Sequence, residues 1–220
     1  VLGVINLAHG EVAMIGAFLA LAAARLGLPF PAALLVAAVG TMVLSLAVER
    51  LCFRPFRKVD VLVPMLSTIG MSIFLQTVGT QTWGGDATPF KVGLDIITFQ
   101  VGEVQVSTAH LIIVATTVVL MLLLSYLIYR TKLGRGMRAI AENAEIARSI
   151  GVNPGPLIVL AFALSGPIAG IAGILVGLNT YAISPFIGLD MGLKALVAVV
   201  MPYAWMDATH QWLGMGRLPD

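Results

Sequence analysis

Apolar residues dominate this chain in stretches of about 20 residues, interrupted by short polar or Gly/Pro-containing breaks. Read in windows of about 19 residues, the pattern predicts helices near 11–28, 31–50, 61–82, 107–129, 157–178 and 186–203. At about 1.5 Å per residue, each is long enough to cross a hydrocarbon core of roughly 30 Å. The expected fold is therefore all-α, a polytopic α-helical membrane protein with about six spans. Gly27-Leu28-Pro29-Phe30-Pro31 marks a tight turn between the first two helices, because proline stops one helix and opens the next. Pro167 inside the fifth stretch removes a helix hydrogen bond and predicts a bend or break there, and Pro64 and Pro202 are candidates for the same effect. Gly166, Gly170, Gly173 and Gly177 recur at three- and four-residue spacing, with Ala163, Ala169 and Ala172 among them. They predict a packing face that a neighbouring helix approaches closely.

Two segments break the apolar pattern. Residues 83–106 carry Asp86, Lys91, Asp95 and Glu103 and alternate at Val101, Val104 and Val106, which suggests an external segment with a short hairpin. Residues 131–156 are too polar to span a bilayer yet strongly patterned. Met137, Ile140, Ala141, Ala144 and Ala147 fall on one face of a helix, and Arg138, Glu142, Asn143, Glu145 and Arg148 on the other. Gly151 and Pro154 end it. A surface helix bound to lipid usually presents bulky side chains. The alanine-rich face here favours docking against a protein.

Composition agrees with the hydropathy. Of 220 residues, 59% are hydrophobic and 11% charged, against roughly 45–50% and about 25% for soluble domains. Mean hydropathy is +0.98. The lone cysteine, Cys52, excludes an internal disulfide and a cysteine-rich metal site. A net charge of +2 calls for no nucleic acid. The positions of the basic residues are more informative: Arg50, Arg54, Arg57 and Lys58 follow the second stretch, and Arg130, Lys132, Arg135 and Arg138 follow the fourth. Two spans separate the clusters, so both belong on the cytoplasmic side. Residues 1–10 then start on or near that side, 180–185 forms an outer turn, and the sixth span returns inward.

Polar groups within apolar stretches are candidates for function, because burying them in a bilayer is costly. Asn6, His9 and Glu11 cluster at the entrance to the first span, with Gln76 in the third and Lys194 in the sixth. These five are the candidates for lining a translocation pathway. Each has a structural alternative. Asn6 and His9 can bond neighbouring helices and fix a turn, Gln76 can satisfy itself on a neighbour, and Asp190 four residues before Lys194 can neutralise it. The histidines are too scattered for a metal site, and neither a catalytic nucleophile with a base nor a phosphate-binding Gly-x-x-x-x-Gly-Lys-Ser/Thr loop occurs. No cofactor and no catalytic residue is expected.

The run Arg138-Ala-Ile-Ala-Glu-Asn-Ala-Glu-Ile-Ala-Arg-Ser-Ile-Gly151 resembles the coupling loop of ATP-binding-cassette (ABC) importer permeases. Val4-Ile-Asn-Leu-Ala-His-Gly-Glu-Val-Ala-Met-Ile-Gly16, Glu49-Arg50 with Arg54-Pro55-Phe56-Arg57, Ser67 to Gln76, Ser184-Pro-Phe-Ile-Gly188 and Gly192-Leu-Lys194-Ala resemble high-affinity branched-chain amino acid permease subunits. The resemblance covers about residues 1–200. It implies a bacterial inner-membrane, multi-pass permease subunit that is not itself an enzyme and works by alternating access. The implied partners are a second related permease, two ABC ATPases that hydrolyse ATP, a periplasmic or extracellular substrate-binding protein, and the lipid bilayer. It places Arg138, Ala141, Glu142, Ala144, Glu145 and Gly151 at the ATPase contact. Urea and short-chain amide permeases of the same family share these motifs, and a self-contained secondary transporter or channel is the alternative of another class. Residues 1–203 are expected to form the transmembrane permease domain, incomplete at both ends, with 131–156 as its cytoplasmic coupling loop. The stretch after Val200, and 204–220 in particular, departs from the family pattern and is expected to be an atypical tail.

Overall fold

A computed structural model describes residues 6–56, 62–94, 97–101 and 104–212; the side chains at 101, 104–106, 145, 199 and 202–212 are outside that description. Arg57, Lys58, Asp95 and Glu103, which entered the reading of loops and sides, lie outside the described residues.

Eight α-helices carry the fold: α1 (His9–Arg25), α2 (Phe30–Val48), α3 (Leu62–Trp83), α4 (Thr108–Arg130), α5 (Lys132–Glu142), α6 (Ala144–Ser149), α7 (Pro154–Thr180) and α8 (Ile187–Trp212). A π-helical turn, Glu49–Phe53, extends α2. Gly27, at a φ of 80°, lets the chain leave α1, and Leu28 donates back to the Ala23 carbonyl at 3.2 Å. Pro29 and Pro31 then open α2, where a missing N–H costs nothing in the first turn.

α1 is the central helix, packed against α2, α3, α7 and α8. The glycine face of α7 makes this possible. Gly170 meets Gly16 of α1 and Thr41 of α2, Gly166 meets Thr41 and Ser45, Gly173 meets the Ala13 carbonyl, and Gly177 meets the ring of Phe90. A β-carbon at position 173 would overlap the Ala13 oxygen, so α1 and α7 touch backbone to backbone. Around this seam Met14, Phe18, Leu21, Ile174 and Leu178 form the main apolar core, which Ile183 and Phe90 close at one end. At the other end Ala8, Val48, Cys52 and Phe53 pack together, and Phe53 meets Phe162 with ring centroids 4.9 Å apart.

These contacts fix directions. α1, α3 and α7 run one way: Leu7 reaches Thr68, Phe18 stacks on Trp83, and the residue-174 end of α7 joins the later turns of α1. α2 runs the other way, with Ser45 beside Gly166 and Ala33 and Ala37 in the cluster with Ile174. The end of α2, the start of α1, the end of α4 and the α5–α6 pair consequently share one end of the bundle.

Several expectations are refined. Among the described residues four helices are long and apolar enough to cross a membrane, α2 with its π-turn, α3, α4 and α7, and the count of six is not confirmed. α1 has 17 residues, about 25 Å. The 27-residue α7 runs unbroken through Pro167, α8 passes Pro202, and Pro64 lies in the first turn of α3 where it is tolerated. The segment 180–185 is more than a simple turn. β4 (Ala182–Ile183) pairs antiparallel with β1 (Thr88–Pro89), Ile183 is 1% exposed, Pro185 is fully buried, and the chain descends beside α1 before α8 begins. Its backbone groups are partly met by that strand pairing, which allows non-helical chain inside the bundle. Lastly, residues 131–156 form two helices rather than one. The expected hairpin is present as β2 (Thr98–Val101) and β3 (Val104–Ser107). The first part of the 204–220 segment continues α8 to Trp212.

Candidate functional site

The start of α1 is assembled from short polar contacts. The Asn6 side chain accepts the Ala8 amide at 3.1 Å and its carbonyl accepts the His9 amide at 3.3 Å, which turns the chain into the helix. The Leu7 amide donates to Thr68 Oγ1 of α3 at 3.3 Å. One turn on, Glu11 is 1% exposed, and its Oε1 accepts the Ser72 hydroxyl at 3.3 Å. Its Oε2 lies against Gly188 in the first turn of α8 and has no hydrogen-bond partner among the described residues. Helix N-termini carry partial positive charge, so a carboxylate there is favourably placed. Gly10 touches the Gly188 carbonyl and Gly192, so no β-carbon fits between α1 and α8.

Beside this node lies a cleft of about 450 Å³ between α1, α7 and α8, lined by small residues (Gly10, Ala13, Ala169, Ala172, Ala195) and by Asn6 and His9. The sequence candidates are thus separated. Asn6 and His9 share the cleft. Glu11 is sealed behind it, and Gln76 is half-buried on α3 and does not line it. Lys194 is outside it as well. Its Nζ pairs with Asp190 Oδ2 at 2.6 Å, with the two side chains 75% and 62% exposed, so mutual neutralisation accounts for it. Thr68, Ser72 and Gly188 belong to the node; the sequence marks them only as members of the runs Ser67 to Gln76 and Ser184 to Gly188, not as pathway candidates.

The second candidate surface is the α5–α6 pair. Thr131 caps α5, accepting the Gly134 amide at 3.1 Å while donating to the Leu127 carbonyl at 2.5 Å. Gly134 lies hard against the Leu127 and Ile128 carbonyls, and Arg138 Nη1 donates to the Ile128 carbonyl at 2.5 Å with its guanidinium 5.2 Å from the Tyr129 ring centre. α5 is thereby folded tightly back on the end of α4. The two helices separate at Asn143, which leaves helical geometry (φ −157°, ψ 110°) and whose side chain accepts the Ile146 amide at 3.0 Å, capping α6. Gly151, at a φ of 86°, ends α6, and Val152 donates back to Ala147 at 2.9 Å. Met137, Ile140 and Ala147 are buried, as the face pattern predicts. Ala141 is exposed and Ala144 half-buried, so the inward face is narrower than expected. Arg138 and Glu142 are exposed, and the Glu145 side chain lies outside the description. Ile146 (62% exposed) and Ile150 (69%) point outward, an apolar pair that the face reading left unassigned. Projected along a helix they fall opposite Met137, which was the available cue.

The sequence profile of the family described as branched-chain amino acid transport system / permease component matches residues 1–209. The chain belongs to this permease family. The permease is 36% identical over 214 residues to the high-affinity branched-chain amino acid transport system permease protein LivH of Escherichia coli strain K12, covering 91% of this chain and 70% of that protein. It is 33% identical, with the same coverage, to the corresponding protein BraD of Pseudomonas aeruginosa. A shorter similarity, 34% over 85 residues and 39% of this chain, links it to the autoinducer 2 import system permease protein LsrC of Salmonella typhi, covering 24% of that protein. No solved structure matches the chain. Membership in the family makes this a multi-pass membrane transport permease. Its two surfaces, the cleft beside α1 and the exposed α5–α6 pair, are at the same end of the molecule.

Proposed function

We propose that this permease is the membrane-spanning subunit of an ATP-driven importer that carries branched-chain amino acids across a bacterial inner membrane by alternating access. The α5–α6 pair, with Arg138, Ala141, Glu142, Ala144, Glu145 and Gly151, docks on an ABC ATPase on the cytoplasmic side. A second related permease completes the pathway, a binding protein delivers the substrate, and two ATPases supply the energy. The cargo is that of the branched-chain amino acid permeases LivH and BraD, which match across 91% of the chain. Asn6 and His9 supply the polar groups of the pathway.

One observation carries the reading: a short helical pair, clamped to the ends of α4 and α7 on its inner side, leaves Ile146 and Ile150 uncovered on its outer side. Such a pair moves with the spans when something pulls on it. The test is co-purification in detergent of the permease with the ATPase encoded beside it. Wild type retains the ATPase, whereas Glu142→Arg and Ile146→Asp lose it while membrane insertion is unchanged. Full retention by both variants would remove the α5–α6 pair as the docking surface.

A further inference from the structure

A second groove opens beside α5. Its volume is about 410 Å³, inside the range of roughly 300–1,000 Å³ usual for small-molecule sites, and it lies between the last turns of α4, the middle of α5 and the first half of α7. Leu124, Leu127 and Ile128 wall one side, and Ala161, Leu164 and Ile168 the other. From Ala161 to Ile168 it follows α7 for about 10 Å. Of its polar lining residues, His9 belongs to the α1 cleft as well, Ser165 donates to the Phe162 carbonyl at 3.2 Å, and Arg138 is on α5. A channel walled in this way suits a hydrocarbon chain.

Its rim is cationic. Arg138 lines the groove and donates to the Ile128 carbonyl, so its guanidinium is fixed at the end of α4. That bond, with the one from Thr131 to Leu127, occupies two carbonyls at a helix end that would otherwise repel an anion. A guanidinium has five N–H donors, so others remain for a further acceptor. Arg130, Lys132 and Arg135 are exposed on the same stretch, where Glu142 is the one carboxylate between 130 and 142. Among the described residues none of these four cations is in an ion pair. Tyr126 (65% exposed) and Tyr129 (67%) mark the depth, because outward tyrosines gather where hydrocarbon meets headgroups. The groove thus starts at headgroup level and runs along α7 toward the membrane interior.

We propose that this groove binds one anionic phospholipid of the inner leaflet, with an acyl chain between α4 and α7 and the phosphate against Arg138 and its neighbouring cations. Charge selects the occupant. A hydrocarbon tail joined to an anion at this depth is what such a lipid offers, and basic pockets between spans on the cytoplasmic side hold such headgroups. An apolar helix of another protein would fill the channel and leave the cations unanswered. The site needs only a membrane permease with this end inward, whatever its cargo and ATPases.

The test titrates the full permease chain in detergent with phosphatidylglycerol, with zwitterionic phosphatidylcholine of the same acyl chains, and with glycerol phosphate, and counts bound molecules by native mass spectrometry. Wild type should hold one phosphatidylglycerol, at least about tenfold more tightly than phosphatidylcholine, and no glycerol phosphate. Arg135→Gln combined with Arg138→Gln should shrink that preference to within about twofold, whereas Arg138→Lys, which keeps the charge, should hold it within about threefold of wild type. Arg25→Gln, at the opposite end beside Trp83, should leave it unchanged. Ala161→Phe fills the channel and should abolish one-to-one binding; if it fails to fold, the charge variants at exposed positions still decide the matter. Equal affinity for the two lipids, binding of glycerol phosphate alone, or a preference that survives the double substitution or a folded Ala161→Phe overturns the proposal. A benzophenone attached at Leu124→Cys gives an independent reading in vesicles containing phosphatidylglycerol, with the partner permease present. It should cross-link to lipid, and cross-linking to the partner instead would make the groove a protein interface and overturn the proposal.

Discussion

Two residues show how tightly α1 is enclosed. Gly173 sits where any β-carbon would overlap the Ala13 carbonyl of α1. Gly173→Val therefore has to separate α1 from α7 along their whole contact, and overpacking of this kind costs about 1–3 kcal/mol. The expected result is a melting temperature in detergent several degrees lower, with reduced yield of folded permease; equal melting would show that the seam has room. Glu11 makes a different case. Its buried carboxyl accepts one hydrogen bond from Ser72 and otherwise lies against the start of α8. Glu11→Gln keeps both shape and acceptor and should cost less than about 1 kcal/mol. Glu11→Ala leaves Ser72 without its partner and a void behind Gly188, for about 1–3 kcal/mol or more. Thermal unfolding of the two variants side by side tests the ordering, and Gln as damaging as Ala would mean that the negative charge itself holds α8.

At the scale of elements, the instructive segment is α5–α6. Asn143 ends one helix and caps the next through its side chain. Replacing such a cap by Ala costs about 1 kcal/mol and, because Ala is the best helix former, favours one continuous helix across the break. Asn143→Ala should straighten the pair, move Ile146 and Ile150 away from their present aim, and weaken ATPase co-purification several-fold; unchanged retention would show that the bend is not needed. The helices themselves were legible because 3.6-residue periodicity and apolar length are local properties: Met137, Ile140 and Ala147 are buried as their spacing requires. The break was not legible. Asn143 lies within an unbroken face pattern, and its choice to cap rather than continue is decided by how α5 folds back on α4. The same holds for Ser184-Pro185-Phe186, which reads as a turn between two apolar runs. Pairing of β4 with β1, from a loop some 90 residues earlier, anchors the two residues just before it, and Pro185 is fully buried. Of the candidate site, Asn6 and His9 were readable as polar groups in apolar surroundings, and the seclusion of Glu11 was not, since it depends on glycines of α8 far along the chain.

Whole-molecule architecture makes a prediction about sides. The start of α1, the π-turn after α2 with Arg50 and Arg54, and the α4 terminus with Arg130, Lys132 and Arg135 gather at one end, while Lys91 lies with Phe90 and Val92 at the other. Basic residues accumulate on the cytoplasmic face. Arg135 and Lys91 are exposed, and the sole cysteine, Cys52, is 2% exposed, so native thiol background is low. A membrane-impermeant maleimide should label Lys91→Cys in intact spheroplasts and Arg135→Cys only after the membrane is opened. Labelling of Arg135→Cys from outside would invert the molecule. The α5–α6 pair would then face away from the compartment that holds ATP, and ATPase docking there would be impossible however well the surface fits. The sidedness experiment thus bears on the importer reading independently of any partner: it asks whether the clamped helical pair is on the side where hydrolysis can pull it.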